Sequence, residues 1–323
     1  MGPLTALYYR ILQYQPENLK FLHEHFRVIE IANPDADREE ILAAVDLGFA
    51  PLGYYFGRAK MELCPRLRAI ATNTTGVPHI DVKEAAARNI KVFSLEKEVE
   101  FLGTITPTAE HTWGLLLALM RRSPWAHAAV LQGQWNRRPF GAPRMLSRMT
   151  LGLIGCGRLG RMVGRYGLAF GMKVAFFDPY VEGCPPGFES LGTAEQLVAA
   201  SDVVSLHAPA NESTYKMLNR DLLEKFKVGS YLVNTARGEL VDEVALLEML
   251  QTGRLAGAAL DVLDGEFVPG FQVSSHPLVA YAKAHDNLLL TPHIGGSTID
   301  AWRETERRVI ELAYAYLCEE KCS

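Results

Sequence analysis

The sequence predicts an α/β protein: a doubly wound parallel sheet accompanied by a second, smaller α/β domain. Three observations lead there. Short apolar runs alternate with amphipathic segments along almost the whole chain, the pattern of parallel strands joined by helical crossovers. A glycine-rich turn, Gly155-Cys156-Gly157-Arg158-Leu159-Gly160, stands directly after one such run. At 323 residues the chain is longer than one average domain, so two domains are expected.

Taken in order, residues 4–12 read as a strand, 17–26 as a helix and 67–72 (LRAIAT) as a strand. The turn-rich NTTGVPHID follows, then a helix from Asp81 to Arg88 and a strand at 91–94. Charge, Gly and Pro interrupt the alternation at 96–107, the expected crossing between domains. The helix after it, Thr108–Arg121, is apolar on most faces, so it is expected to be buried, with a partner subunit as one candidate cover. Further strands fall at 150–154, 173–177, 203–206, 230–234, 256–261 and 287–291. One intervening helix opens with Thr193-Ala194-Glu195-Gln196, a capping-box pattern. Residues 265–286 carry two Pro and two His without periodicity and read as a long loop. No strand follows the terminal helix, Thr298 to Leu317, which could return to the N-terminal half. The expected domains are therefore 1–104 with 296–323, discontinuous, and 105–295.

Composition narrows the function. Lys plus Arg is 33 against 37 acids, a net charge of −4, which gives no electrostatic case for nucleic acid or an anionic membrane as partner. Five scattered cysteines do not form a disulfide framework and point to a reducing cytosol. The N-terminus lacks a basic segment leading into an apolar one, and the apolar run Leu115–Met120 is too short to span a bilayer. A cytoplasmic protein is the expectation. Cys318 and Cys322 are one helical turn apart but have no His or acid cluster at ligand spacing, so no metal site is expected. Arg121-Arg122 and Arg137-Arg138, beside Trp125 and Trp135, read as a solvated face or subunit interface.

The glycine turn is the strongest chemical signal. Gly155 permits a tight turn, Gly157 lets backbone N–H groups approach a pyrophosphate, and Gly160 lets the helix sit close to the sheet. The next strand ends in Asp178, 18 residues beyond Gly160, near the spacing of about 20 for the acid that binds an adenosine ribose. Pro179 and Tyr180 follow without a cation for a 2′-phosphate. This is a Rossmann-type turn that favours NAD over NADP.

Later strands bring polar residues to the same rim, because ligands lie outside the carboxyl ends of parallel strands. They end at SLHAPA, NTARG, ALDVLDGE and LLLTPHIGGS, which places Arg237, Asp261, Glu266 and His293 together. Any of these alone has an ordinary explanation as a surface ion-pair former, a turn residue or a solvated acid. Together they suit hydride transfer to a 2-oxo acid. A forked guanidinium grips the carboxylate and polarises the ketone, and an imidazolium supplies the proton. A carboxylate behind the imidazole orients it and favours its charged form. Asp261 could hold the nicotinamide amide. His79 and His207 read as wall or structural residues rather than ligands.

The segments LGLIGCGRLG, FFDPY, DVVSLHAP, VNTARGELVDEVALLEMLQTGRLAGAALDV and LTPHIGGST resemble the D-isomer-specific 2-hydroxyacid dehydrogenases over about residues 62–317. The resemblance implies a flavodoxin-like substrate domain from the two chain ends, a Rossmann NAD domain between, and closure by hinge motion. It implies Arg237 as substrate binder, His293 as acid/base and Glu266 as its partner. The NAD contacts it implies are Gly155, Gly157, Arg158, Leu159, Gly160, Asp178, His207, Ala208, Pro209, Thr235, Ala236, Asp261, Gly295 and Gly296. Thr75, Gly76 and Val77 match the loop whose N–H groups cradle the substrate carboxylate. HTWGLLLALMRR and LQGQWNRRPF match the family's dimer arm, so a homodimer is implied. Two departures stand out. Phe267 follows the catalytic Glu where the family has Pro, and FAPLGYYFG offers no basic residue for a substrate phosphate until Arg58. Tyr54, Tyr55 and Phe56 there fit a less anionic or bulkier substrate than 3-phosphoglycerate, or serve the core. With the chain closing at Ser323, no appended regulatory domain is expected. The rivals are oxidation of a small anion such as phosphite or formate on this scaffold, and a dinucleotide-sensing, corepressor-like binding protein.

Overall fold

The computed structural model describes residues 3–268 and 270–322, which fall into two compact units. The first runs to Ile105 and resumes at Ser297, with Phe267 and Val268 grouped beside it; the second takes Thr106–Glu266 and Gly270–Gly296.

In the first unit β1 (Thr5–Tyr9), β2 (Arg27–Ile31), β3 (Leu47–Phe49), β4 (Ala69–Ala71) and β5 (Lys91–Phe93) form one parallel sheet. Its order, β2-β1-β3-β4-β5, is the flavodoxin-like one. All of β1 is buried, and its side chains divide by alternation. Ala6 and Tyr8 enter one apolar cluster with Leu22 and Phe49, while Leu7 and Tyr9 enter the other with Phe56 and Ile70. The terminal helix, Ile299–Cys322, seals the first cluster with Val309, Ile310, Ala313 and Leu317. The strand expected over 4–12 stops at Tyr9, and Arg10–Leu12 closes into a short 3-10 turn. Two strands of this unit escaped the sequence reading: β2 is a half-exposed edge and β3 spans three residues, too little pattern for either to declare itself.

The second unit contains β6 (Thr150–Ile154), β7 (Lys173–Phe177), β8 (Phe188–Ser190), β9 (Val203–Leu206), β10 (Ser230–Asn234), β11 (Leu255–Leu260) and β12 (Leu288–Leu290). Their order is β12-β11-β10-β9-β6-β7-β8, parallel throughout. This is the Rossmann order with one strand added, and it reverses between β6 and β9. Apolar clusters cover both faces, one around Leu206, Leu232 and Leu246, the other around Trp113, Leu151 and Phe176. The helix Pro107–Met120 is apolar on most faces because it packs on two sides: Trp113 and Leu116 enter the second cluster, and Leu115 and Leu119 meet Ala259. Cys156 is wholly buried in that second cluster, as a small core filler should be.

Thr193 Oγ1 accepts the Gln196 N–H at 3.2 Å, while the Gln196 side chain takes the Gly192 N–H, so only half of the capping box forms. The segment 265–286 is not loop throughout. Pro277–Ala282 is helical and buries Leu278 and Tyr281; six residues are too few for periodicity to register. The crossing at 96–107 likewise holds a short helix, Val99–Leu102. A helix at Ser123–Leu131, which buries none of its residues, had no apolar stripe to announce it. Cys318 is a free thiol, and the Cys322 side chain lies outside the described residues. Among the described residues, no helix is long and apolar enough to cross a membrane.

Candidate active site

Every predicted site residue of the second unit lies in a loop or helix start beyond the C-terminal end of a strand. Gly155–Gly160 follow β6, Asp178 follows β7, and His207–Pro209 follow β9. Thr235–Arg237 follow β10, Asp261 and Glu266 follow β11, and His293, Gly295 and Gly296 follow β12.

The glycine turn is built for a close approach. Gly155 has φ +94°, and a Cβ there would meet the His207 carbonyl at 2.7 Å. A Cβ on Gly160 would meet the Gly155 oxygen at 2.2 Å, so the helix Arg158–Ala169 sits against the turn as only glycine allows. Gly157 differs: a Cβ there would point into open space, with no protein atom within 4 Å. That is the space a pyrophosphate would occupy before a helix N-terminus, and here the residues fit the group. Asp178 Oδ2 accepts the Cys156 N–H at 2.8 Å, and Oδ1 accepts that of Tyr180 at 2.9 Å. Its carboxylate is thereby tied to the turn it would serve. Burial pulls the Arg158 guanidinium below its ordinary pKa, a cost that an adjacent anion would offset. Beside the turn, His207 Nε2 meets Ser205 Oγ at 2.9 Å, while Nδ1 is buried with no partner. Burial lowers the His207 pKa to about 3, so the ring is neutral and serves as wall rather than acid.

The arginine loop is fixed from beneath. Asn234, fully buried at the end of β10, donates from Nδ2 to the Arg237 carbonyl at 2.8 Å and accepts the Ala236 N–H at 3.0 Å. The half-buried Arg237 guanidinium donates from Nη1 to the Ala236 carbonyl at 2.6 Å. A Cβ on Gly238 would fall 2.0 Å from the Leu263 carbonyl carbon and 2.2 Å from the Asp264 nitrogen. The loop that carries Arg237 is thus pressed against the loop that leads to Glu266.

Glu266 and His293 meet directly: Oε1 lies 2.7 Å from Nδ1. The His293 backbone has φ +53°, a conformation few non-glycine residues adopt. Asp261, 2% exposed, holds it there. Its carbonyl accepts the His293 N–H at 2.9 Å, and its carboxylate accepts Ile294 N–H, Gly295 N–H and the Thr291 hydroxyl at 2.9, 2.7 and 2.6 Å. His111 Nε2, from the helix Pro107–Met120, lies 3.0 Å from Thr291 Oγ1 and 3.3 Å from Asp261. Asp261 is therefore the hub of the histidine loop as well as a candidate amide holder. Sequence reasoning missed His111, Thr291 and Asn234. A lone histidine in an apolar helix and an asparagine closing a buried strand were the only signals they gave.

The remaining candidates belong to the first unit. In the 75–77 loop Thr75 is exposed and Gly76 and Val77 are half-buried, and the Thr74 hydroxyl donates to the Gly76 carbonyl at 2.6 Å. Of the aromatic trio, Phe56 is core, Tyr54 is half-buried and Tyr55 is 61% exposed. His79 is buried, with Nε2 3.2 Å from Thr72 Oγ1, and burial lowers its pKa to about 4.

A dinucleotide turn at the sheet's switch point, with a carboxylate–imidazole pair on the same rim, defines a nicotinamide-dependent oxidoreductase. Residues 113–295 match the family described as "D-isomer specific 2-hydroxyacid dehydrogenase, NAD binding domain". The chain belongs to that family of NAD-dependent enzymes. It is 37% identical over 262 residues to the glyoxylate reductase of Thermofilum pendens, covering 78% of this chain and 71% of that one. It is 34% identical over 247 residues to the D-3-phosphoglycerate dehydrogenase of Bacillus subtilis, covering 76% of this chain but 44% of the relative. The solved D-lactate dehydrogenase of Aquifex aeolicus, complexed with NAD and lactic acid, superposes with a TM-score of 0.82 at 26% identity, covering 98% and 96% of the two chains.

Proposed function

We propose that this protein reduces a small 2-oxo acid to the D-2-hydroxy acid with NADH, and catalyses the reverse with NAD. The coarse reaction, NAD-dependent interconversion of 2-oxo and 2-hydroxy acids, is that of its family. The observation that carries the finer reading is the Glu266–His293 contact at 2.7 Å, on the rim that also bears Arg237 and the glycine turn.

When bound, NADH supplies the hydride. Arg237 holds the substrate carboxylate through its planar fork and draws charge onto the carbonyl oxygen. His293, oriented at Nδ1 by Glu266, delivers from Nε2 the proton that the alkoxide needs, and removes it in the reverse direction. Gly155–Gly160, Asp178, Ala208, Thr235, Ala236, Asp261 and Gly295 hold the dinucleotide. Glyoxylate is the first candidate, since a relative at 37% identity bears the name glyoxylate reductase. The absence of a basic residue in 49–57 disfavours a phosphorylated acid. The exposed side chains of Val130, Leu131 and Trp135 support a homodimer through this arm. A cytoplasmic setting suits the scattered cysteines.

NADH oxidation over a panel of 2-oxo acids, with formate and phosphite offered to NAD in parallel, tests the reading. Turnover on a 2-oxo acid supports it. Turnover on formate or phosphite alone, or NADH binding with no turnover, contradicts it.

A further inference from the structure

Glu266 reaches His293 from a turn that has little to hold it. Leu263–Glu266 is closed by one long hydrogen bond, Glu266 N–H to the Leu263 carbonyl at 3.3 Å, and passes through Gly265 at φ +76°. Its firm anchor comes from elsewhere. Glu243, in the first turn of the helix Glu243–Gln251, accepts the Asp264 N–H on Oε1 at 2.9 Å. Its other oxygen lies 3.0 Å from His276 Nε2. Both side chains are largely buried, at 16% and 12% exposure. Gly238 closes the turn from the other side, with room for no side chain.

We infer that Glu243, seated by His276, is a positioning residue that clamps the Asp264 N–H and so fixes where Glu266 stands behind His293. This rests on the reading of Glu266 and His293 given above. The groups facing Glu243 are Asp264, Glu266 and Lys216, together with His276. Burial pushes the Glu243 carboxyl up to about 7, against the pull of the Asp264 N–H. Burial lowers His276 despite Asp264, so the imidazole is neutral near pH 7. The clamp therefore works in either carboxyl state. Oε1 accepts in both, while Oε2 accepts from Nε2–H when ionised and donates to a bare Nε2 when protonated, the latter at the cost of moving the ring proton to Nδ1, which is buried without a partner. A neutral isostere should do the same.

That gives the test. In Glu243→Ala, deuterium exchange at the Asp264 amide should accelerate by about tenfold or more. The low-field NMR signal of the proton between His293 Nδ1 and Glu266 should broaden or vanish, and kcat should fall about tenfold with KM for NADH within about twofold. Glu243→Gln, which keeps a carbonyl for the Asp264 N–H, should hold all three far closer to the wild type than Ala does. An Ala variant with both NMR readouts unchanged, or a Gln variant as damaged as Ala, overturns the inference. Should the Ala variant fail to fold, a wild-type Asp264 amide that exchanges at the unprotected rate overturns it equally. The NMR readouts need no substrate: if they respond as expected while no 2-oxo acid turns over, the functional reading falls and the clamp stands.

Discussion

Glu266 and His293 are 27 residues apart in sequence and 2.7 Å apart in space, joined while the histidine backbone sits at φ +53°. A β-unbranched L-residue held in that region carries strain on the order of 1–3 kcal/mol. The Asp261 carboxylate and carbonyl, between them accepting from Thr291, His293, Ile294 and Gly295, hold the conformation. The proposed acid/base pair is thus held at the backbone on both sides: His293 by Asp261, and the turn before Glu266 by the Glu243–Asp264 contact.

His293→Gln should lower kcat by about 10²–10⁴-fold, the usual contribution of a positioned general acid, with NADH affinity and thermal stability preserved. Glu266→Gln should cost less, because the imidazole remains and what is lost is the carboxylate that orients it and favours its charged form. Steady-state kinetics beside fluorescence titration of NADH checks both, and unimpaired turnover in His293→Gln would sink the assignment.

Arg237→Lys keeps the charge but loses the fork. Since Asn234 fixes the loop through the backbone of Ala236 and Arg237, the substitution should fold normally. It should raise KM for the oxo acid and lower kcat/KM by roughly 10²-fold or more. A kcat/KM within twofold of wild type would show that the guanidinium does not grip the substrate.

Two of the turn's glycines should separate binding from stability. Gly157→Val places its side chain in open space, so the melting temperature should hold while NADH affinity drops by about tenfold or more. Gly160→Ala forces a Cβ to within 2.2 Å of the Gly155 oxygen, and should destabilise by about 1–3 kcal/mol. Calorimetry on both variants checks the contrast; equal destabilisation would contradict it.

His207 gives a pH signature. Its pKa, lowered by burial from 6.5 to about 3, means the folded state carries fewer protons than the unfolded one between those values. Stability must then fall as pH drops below 6.5, by at most about 1.4 kcal/mol per pH unit from this one group. His207→Gln removes that loss. Thermal melts should show the variant gaining on the wild type as pH falls from 6.5 towards 4; parallel curves would mean that the ring is not desolvated.

The sequence was most informative where strands are buried on both faces. β6, β7, β9 and β10 were legible to the residue, because each is a short apolar run between helices. Of the four edges, β5 and β12 were read and two were not: β2 is half-exposed, and β8 has only Phe188 buried; β3, though interior, spans only three residues. The glycine turn and the strand-end residues could be placed through topology alone, since Asp261, Glu266 and His293 end adjacent strands. What sequence could not show is how those loops are held. The Asp261 hub depends on a histidine brought from residue 111, and the anchor of Asp264 on a glutamate 21 residues upstream. Neither contact follows from periodicity or from a motif.

NADH carrying deuterium at both C4 positions of the nicotinamide, incubated with pyruvate or hydroxypyruvate and the enzyme, tests the whole account in one product. The account predicts a 2-hydroxy acid with the label on C2, in the D configuration, formed by the wild type and almost abolished in His293→Gln. An L product, or consumption of the cofactor with no label at C2, would contradict it.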